Sequence, residues 1–412
     1  MIQRKSLIIW PYFLMLFVGL TFPSDGQHGL LSAKSLSFLT ALLALGGYLM
    51  IRQKIYLEQL KYLLFFLAAL AILSVWLSVS LLHGETTQTS QMDQFKLFVI
   101  TLLFPLASLF LIKENLITPQ QIVKVALYSN FCYILLKISM VFLYAFNIID
   151  LWSMLEAFGI RFMRMNIYGG IERFQTSVDI VTPYLLLFVL QSDNLSVSLS
   201  PRFKRLFVIL SLLSTFLSFS RMLIGVYFLS CCLHWSTQRP GKIARVLLAI
   251  LAVCFCAYLA IGPEKVNHVI ERRLYSKDNT ESDSARVQQM NALFCEFDQY
   301  PLFGKGIGGF SKHCVRDYQL LHNYEVQWVA FLMQFGILGI LLLLTPLVWI
   351  GFQLINAPFT RTRWAFLGLF CLWLLAGFTN PFLISLASGI MYTLFYIAST
   401  NLVVKNKHPY LK

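Results

Sequence analysis

The sequence predicts an all-α polytopic membrane protein with about 12 transmembrane helices. Three observations predict it. Hydrophobic residues make up 58% of the chain and charged residues 13%, against roughly 45–50% and 25% in ordinary globular proteins. Apolar stretches near the length that a bilayer-crossing helix needs, about 20 residues, recur along the whole chain. The excess positive charge also falls in alternate connecting loops, as topogenic charge does.

The spans read at about 7–20, 35–51, 62–82, 97–112, 122–146, 180–191, 206–219, 222–233, 246–262, 324–350, 364–379 and 382–402. The first follows Arg4 and Lys5 and imitates a secretory signal. Phe22-Pro23-Ser24-Asp25 offers no small-residue cleavage site, so the span reads as a retained anchor. Residues 1–412 read as a single integral membrane domain, with long outer loops at 147–179 and 263–321.

An even number of spans puts both termini on one side, taken as the cytoplasm. The inner segments then hold 17 cations (Arg4, Lys5, Arg52, Lys54, Lys61, Lys113, Arg202, Lys204, Arg205, Arg239, Lys242, Arg245, Arg361, Arg363, Lys405, Lys407 and Lys412) against Glu58, Glu114 and Asp193. That excess equals the formal net charge of the whole chain, +14. The basic balance is therefore topogenic. It is not interleaved with aromatics as a base-stacking surface is, which argues against nucleic acid. Cys132, Cys231, Cys232, Cys254, Cys256 and Cys371 fall in spans as packing residues. Cys295 and Cys314 share an outer loop and are either a disulfide or two free thiols.

Arginine on the outer side is what topogenesis does not explain. Charge there raises the insertion cost, so it points to an anionic ligand. In the first outer loop, Leu151 to Arg164 is apolar with charges at helical spacing, which predicts a short interfacial helix with Arg161 and Arg164 on one face. Gly169-Gly170 then permits a turn that returns Arg173 toward the membrane. Arg221 stands between two apolar spans with almost no loop, at a tip that parity places outside. Snorkelling to headgroups is the plain alternative for it. The second outer loop carries eight basic and eight acidic residues, so anything bound there is bound by particular side chains. Asp283-Ser284 predicts a helix cap, with Arg286 on the amphipathic helix that follows. Gly304, Gly306, Gly308 and Gly309 predict a flexible turn, and no phosphate-binding or dinucleotide glycine motif is present. His322 and Glu325, at the entry to the tenth span, are predicted to share a helical face, with the carboxylate orienting the imidazole as a general base. Lys137, near mid-span, calls for a partner on another helix.

These words in this order (Ser220-Arg221, Ser284-Ala285-Arg286, Tyr300-Pro301-Leu302-Phe303-Gly304-Lys305-Gly306-Ile307-Gly308, His322-Asn323, Phe335-Gly336-Ile337-Leu338-Gly339) resemble the O-antigen polymerase and O-antigen ligase superfamily. The resemblance covers roughly 219–339 in words and the whole chain in topology. It implies a GT-C-like membrane fold and a metal-independent glycosyltransferase with no cofactor. The site would face the periplasm of a bacterial inner membrane. The implied donor is an undecaprenyl-diphosphate-linked oligosaccharide drawn from the membrane lipid. The implied partner is a chain-length-regulating co-polymerase. On this reading Arg173, Arg221 and Arg286, with Arg161 and Arg164 nearby, hold the diphosphate. Arg286 would also steady the leaving group, and His322 with Glu325 would take the acceptor proton. Twelve residues between Asn323 and Gly336, and arginines in both long outer loops, favour a polymerase over a ligase. A flippase or transporter remains the alternative of another class, though the halves show no internal repeat.

Overall fold

The computed structural model describes residues 2–23, 33–52, 57–84, 86–158, 160, 162–168, 171–238, 277–318, 320–356 and 360–406. In chain order the helices are α1 (Ile2–Thr21), α2 (Ala33–Arg52), α3 (Leu57–His83), α4 (Gln88–Lys113), α5 (Pro119–Ala145) and α6 (Leu151–Ala157). A two-stranded antiparallel sheet, β1 (Phe162–Tyr168) and β2 (Ile171–Thr176), and a 3-10 turn (Ser177–Ile180) follow. Then come α7 (Thr182–Leu190), α8 (Pro201–Leu217), α9 (Arg221–Ser236), α10 (Lys277–Gln299), α11 (Gln327–Asn356), α12 (Arg361–Ala376) and α13 (Leu386–Asn406). The chain is mostly helical, as a multi-pass membrane protein requires.

Helix starts follow from capping chemistry. Thr118 and Gln121 form a reciprocal capping box with Pro119 at the first helical position of α5. Thr87, Ser200 and Thr360 cap α4, α8 and α12. Among the described residues, five helices are long and apolar enough to cross a membrane, at Ala33–Met50, Leu60–His83, Gln88–Lys113, Pro119–Ala145 and Gln327–Asn356. Shorter apolar helices lie at Ile8–Thr21 and Leu386–Thr400. The expected span at 246–262 lies outside the described residues. The expected sixth span becomes α7, nine residues long. At about 1.5 Å per residue it is too short to cross alone. Its Thr182 to Val189 are all buried, which makes it the centre of the bundle rather than a lipid-facing wall. Large apolar side chains such as Trp10, Met50 and Leu82 point outward instead, a surface suited to hydrocarbon.

The two long loops, 147–179 and 263–321, each hold an element that differs from expectation. The helix predicted over Leu151–Arg164 stops at Ala157, and Arg164 lies on β1. The reason is in the pattern: Met163 to Ile167 alternates apolar and polar residues with period two, just before a Gly-Gly pair suited to a hairpin turn. Arg161 and the two glycines lie outside the described residues. Register pairs Arg164 with Phe174 and Met165 with Arg173, so Arg164 and Arg173 face opposite sides of the ribbon. In the second loop, α10 begins at Lys277. Asp283 is thus inside the helix and pairs with Arg286 three residues on, rather than capping the helix.

Candidate functional site

The glycine run is a packed seam and not a flexible turn. Residues Gly304–Gly309 are buried. They dock where α11 breaks, at Gly336 (φ 63°, ψ −172°). Breaking the helix frees backbone groups, and the loop takes them up. Lys305 N–H donates to Met333 O at 2.9 Å, Gly306 N–H to Gln334 O at 2.8 Å, and Ile337 N–H to Pro301 O at 2.9 Å. Glycine is required by space as well as by conformation. A Cβ on Gly306 (φ +88°) would stand 2.3 Å from the Ser80 backbone nitrogen, and one on Gly304 (φ +70°) 2.5 Å from Gln334 backbone. The side chains of Gln94 and Gln334 bond each other at 2.7 Å and bridge onto the Gly308–Gly309 backbone. Below the seam, Lys305 pairs with Glu296 at 2.7 Å, both buried.

His322 is buried beside this seam. It lies in the turn before α11, which starts only at Gln327. The shared helical face with Glu325 therefore does not form. Ser90 is the residue that orients the imidazole, with Oγ 2.9 Å from Nδ1. Ser90 Oγ also donates to Gly308 O at 3.3 Å. A hydroxyl has one proton, so the Nδ1 side carries the N–H that Ser90 accepts. The basic lone pair then sits on Nε2.

Glu325 is engaged elsewhere. Its Oε2 accepts from Arg286 Nε at 2.8 Å and its Oε1 from Arg316 Nη2 at 3.0 Å. The pairing of Glu325 with His322 is thus corrected to a pairing with two arginines. Charge decides this: a carboxylate between two guanidiniums is held more strongly than one beside a neutral imidazole.

The remaining arginines gather at the hairpin. Arg164 forks onto Glu172, Nε to Oε2 at 3.1 Å and Nη2 to Oε1 at 2.9 Å, with its guanidinium 4.7 Å from the Trp152 ring centroid. The Arg164 guanidinium holds the Glu172 carboxyl below the usual carboxylate range. Arg173, on the other face, donates to Ser218 O at 3.0 Å and to Gln175 Oε1. Ser218 ends α8, and Phe219 takes φ 43° in the turn. Arg173 therefore ties the hairpin to the tip that carries Arg221. Arg221 opens α9, is exposed, and has no hydrogen bond or ion pair among the described residues.

Beneath the hairpin lies the partner of Lys137. Its Nζ donates to Asp179 Oδ1 at 2.6 Å and to Ser214 O at 3.0 Å, with both charged side chains sealed from solvent. Asp179 Oδ2 also accepts from Thr176 N–H at 2.8 Å. Lys137 and Arg173 thus each bond a carbonyl near the end of α8, Ser214 and Ser218, where cations offset the helix dipole.

Residues 206–344 match the model of a family described as O-antigen ligase. Over that segment the chain is similar to the O-antigen polymerase and ligase superfamily. The matched segment runs from α8 into α11 and contains Arg221, Arg286, the glycine seam, Arg316, His322 and Glu325. Lys137, Arg164, Arg173 and Asp179 lie before it. The chain matches no curated protein. The match supports glycosyl transfer of the polymerase or ligase type by a multi-pass membrane protein. Among the described residues, no three His, Cys, Asp or Glu stand close enough to share a metal ion. Cys295 and Cys314 are free thiols. Ser90, Gln94, Arg316 and Asp179 escaped the sequence reading. Each is an ordinary polar residue whose partner is distant in the chain, as Ser90 and His322 are, 232 positions apart.

Proposed function

We propose that the chain is an O-antigen polymerase of the inner membrane, with both termini cytoplasmic and its site facing the periplasm. It passes a growing glycan from undecaprenyl diphosphate to a lipid-linked repeat unit. The feature that carries this reading is guanidinium in two places: Arg286 and Arg316 on one carboxylate, and Arg173 bonded to the turn that precedes Arg221. In polymerisation both substrates carry a diphosphate, whereas in ligation only the donor does. Guanidiniums are suited to phosphate oxygens by charge and by fork geometry.

In the proposed step the acceptor hydroxyl oxygen attacks the anomeric carbon. The bond from that carbon to the diphosphate oxygen breaks, and its electron pair leaves with the diphosphate. His322 Nε2 takes the hydroxyl proton, with Ser90 fixing the tautomer. Arginine beside the leaving diphosphate offsets the charge it gains. The family match accommodates a ligase equally well. A deletion strain separates the possibilities through its lipopolysaccharide. A core bearing a single repeat supports the polymerase, and polymer retained on its carrier supports the ligase. Repeat units trapped inside the cell support a flippase.

A further inference from the structure

The described ion pairs differ in how far solvent reaches them. Side chains of Lys137 and Asp179 are 0% and 1% exposed, and those of Lys305 and Glu296 3% and 6%. Such sealed pairs cannot trade partners with a ligand without leaving a charge bare. Arg286, Glu325 and Arg316 are 27%, 22% and 21% exposed. This group is open enough for an incoming anion to reach.

Its geometry is that of an occupied anion seat. Two guanidiniums, from α10 and from the loop before α11, converge on one carboxylate, each taking a different oxygen. Arg286 also reaches Asp283 Oδ1 at 2.7 Å, on a carboxylate 62% exposed. Each guanidinium has five N–H donors, and these contacts use few of them. The Glu325 backbone is moored separately, its N–H donating to Gln289 Oε1 at 3.0 Å. The side chain can therefore swing away while its backbone stays anchored. A diphosphate offers more oxygens and more charge than a carboxylate.

We propose that Glu325 is an internal stand-in for phosphate between Arg286 and Arg316, and that the diphosphate of a lipid-linked substrate displaces it. Arg316 is then the second guanidinium of that seat. The proposal rests on the reading that the protein handles lipid-linked diphosphates. It makes Glu325 a brake on binding and not a catalytic base.

The test uses the full chain in lipid nanodiscs, with inorganic pyrophosphate as the probe. Glu325→Gln keeps the shape and removes the competing charge, and should bind pyrophosphate about tenfold more tightly than wild type. Adding Arg316→Ala should remove that gain. In a transfer assay, Glu325→Gln should lower KM for the donor without raising kcat, a split that a purely structural glutamate would not give. Glu325→Asp, which keeps the charge on a shorter arm, guards against a misfolded Gln variant and should also bind more tightly than wild type. Equal or weaker pyrophosphate binding by both variants overturns the proposal. The two readings fail separately: tighter binding in a protein whose deletion leaves polysaccharide intact keeps the seat and removes the polymerase. Lost polymer with unchanged binding does the reverse.

Discussion

The hairpin and the loop before α11 hold their arginines in different ways. At the hairpin, Arg164 is matched by Glu172, Arg173 bonds the neutral oxygens of Ser218 and Gln175, and Arg221 stands exposed without a partner among the described residues. In the second region, Arg286 and Arg316 converge on a single carboxylate. The first arrangement presents a cation directly, and the second presents one only when its internal anion moves. An arginine's place in a loop therefore says little about its availability; the charge of its partner decides that.

The largest effect is expected at the buried ion pair below the hairpin. Lys137→Met leaves Asp179 buried and unpaired. It should cost about 3–5 kcal/mol of stability, read as a lower melting temperature of the purified protein. Lys137→Met with Asp179→Leu should recover most of that loss, because neither charge is then stranded. The platform under Arg173 would still lose its bond to Ser214.

Next in size is the seam. Gly306→Ala forces a Cβ against the Ser80 backbone at a positive φ. A loss of about 1–3 kcal/mol is expected, with transfer activity falling at the same time because His322 packs beside the seam. Gly46→Ala, where nothing stands within 4 Å, is the control and should change neither. Ser90→Ala should lower kcat by about tenfold or less and leave KM unchanged, since it frees the imidazole tautomer without removing the base.

The smallest effect sharpens the comparison by pH. Glu172 has a folded pKa held below its free value of 4.5 by Arg164. Its contribution to stability is therefore full above that value and disappears as pH falls through the lower, folded one. Arg164 is 49% exposed, so solvent screens the pair and the contribution is small. The melting difference between wild type and Glu172→Gln should be present at neutral pH and vanish in acid.

Much of the helical framework was legible because hydropathy is a local signal. Except at 246–262, which is outside the described residues, a helix stands wherever an apolar span was expected. The β-hairpin was missed because the charges at 161 and 164 fit helical spacing, while the period-two alternation from Met163 to Ile167, just before Gly169-Gly170, went unread. That alternation was the available signal. The glycine seam was visible as composition, and its spacing of Gly304, Gly306 and Gly308 was a further signal for a closely packed backbone with positive φ at alternate positions. Its function as a filler of the Gly336 break needed the backbone itself. Partners at long range were not legible at all. Lys137 demanded a partner by burial, but nothing local named Asp179, and nothing distinguished Ser90 or Arg316 from other polar residues. Proximity in the chain paired His322 with Glu325, whereas charge in the folded protein gives Glu325 to the arginines.

Arg221 decides whether guanidinium at the turn before α9 grips a diphosphate. Arg221→Ala and Arg221→Lys are expressed in the deletion strain, membrane insertion is checked, and lipopolysaccharide chain length is measured. Alanine should leave an inserted protein with chain extension reduced about 10²–10³-fold, and lysine should restore only part of it. Full-length polysaccharide from the alanine variant would contradict the account.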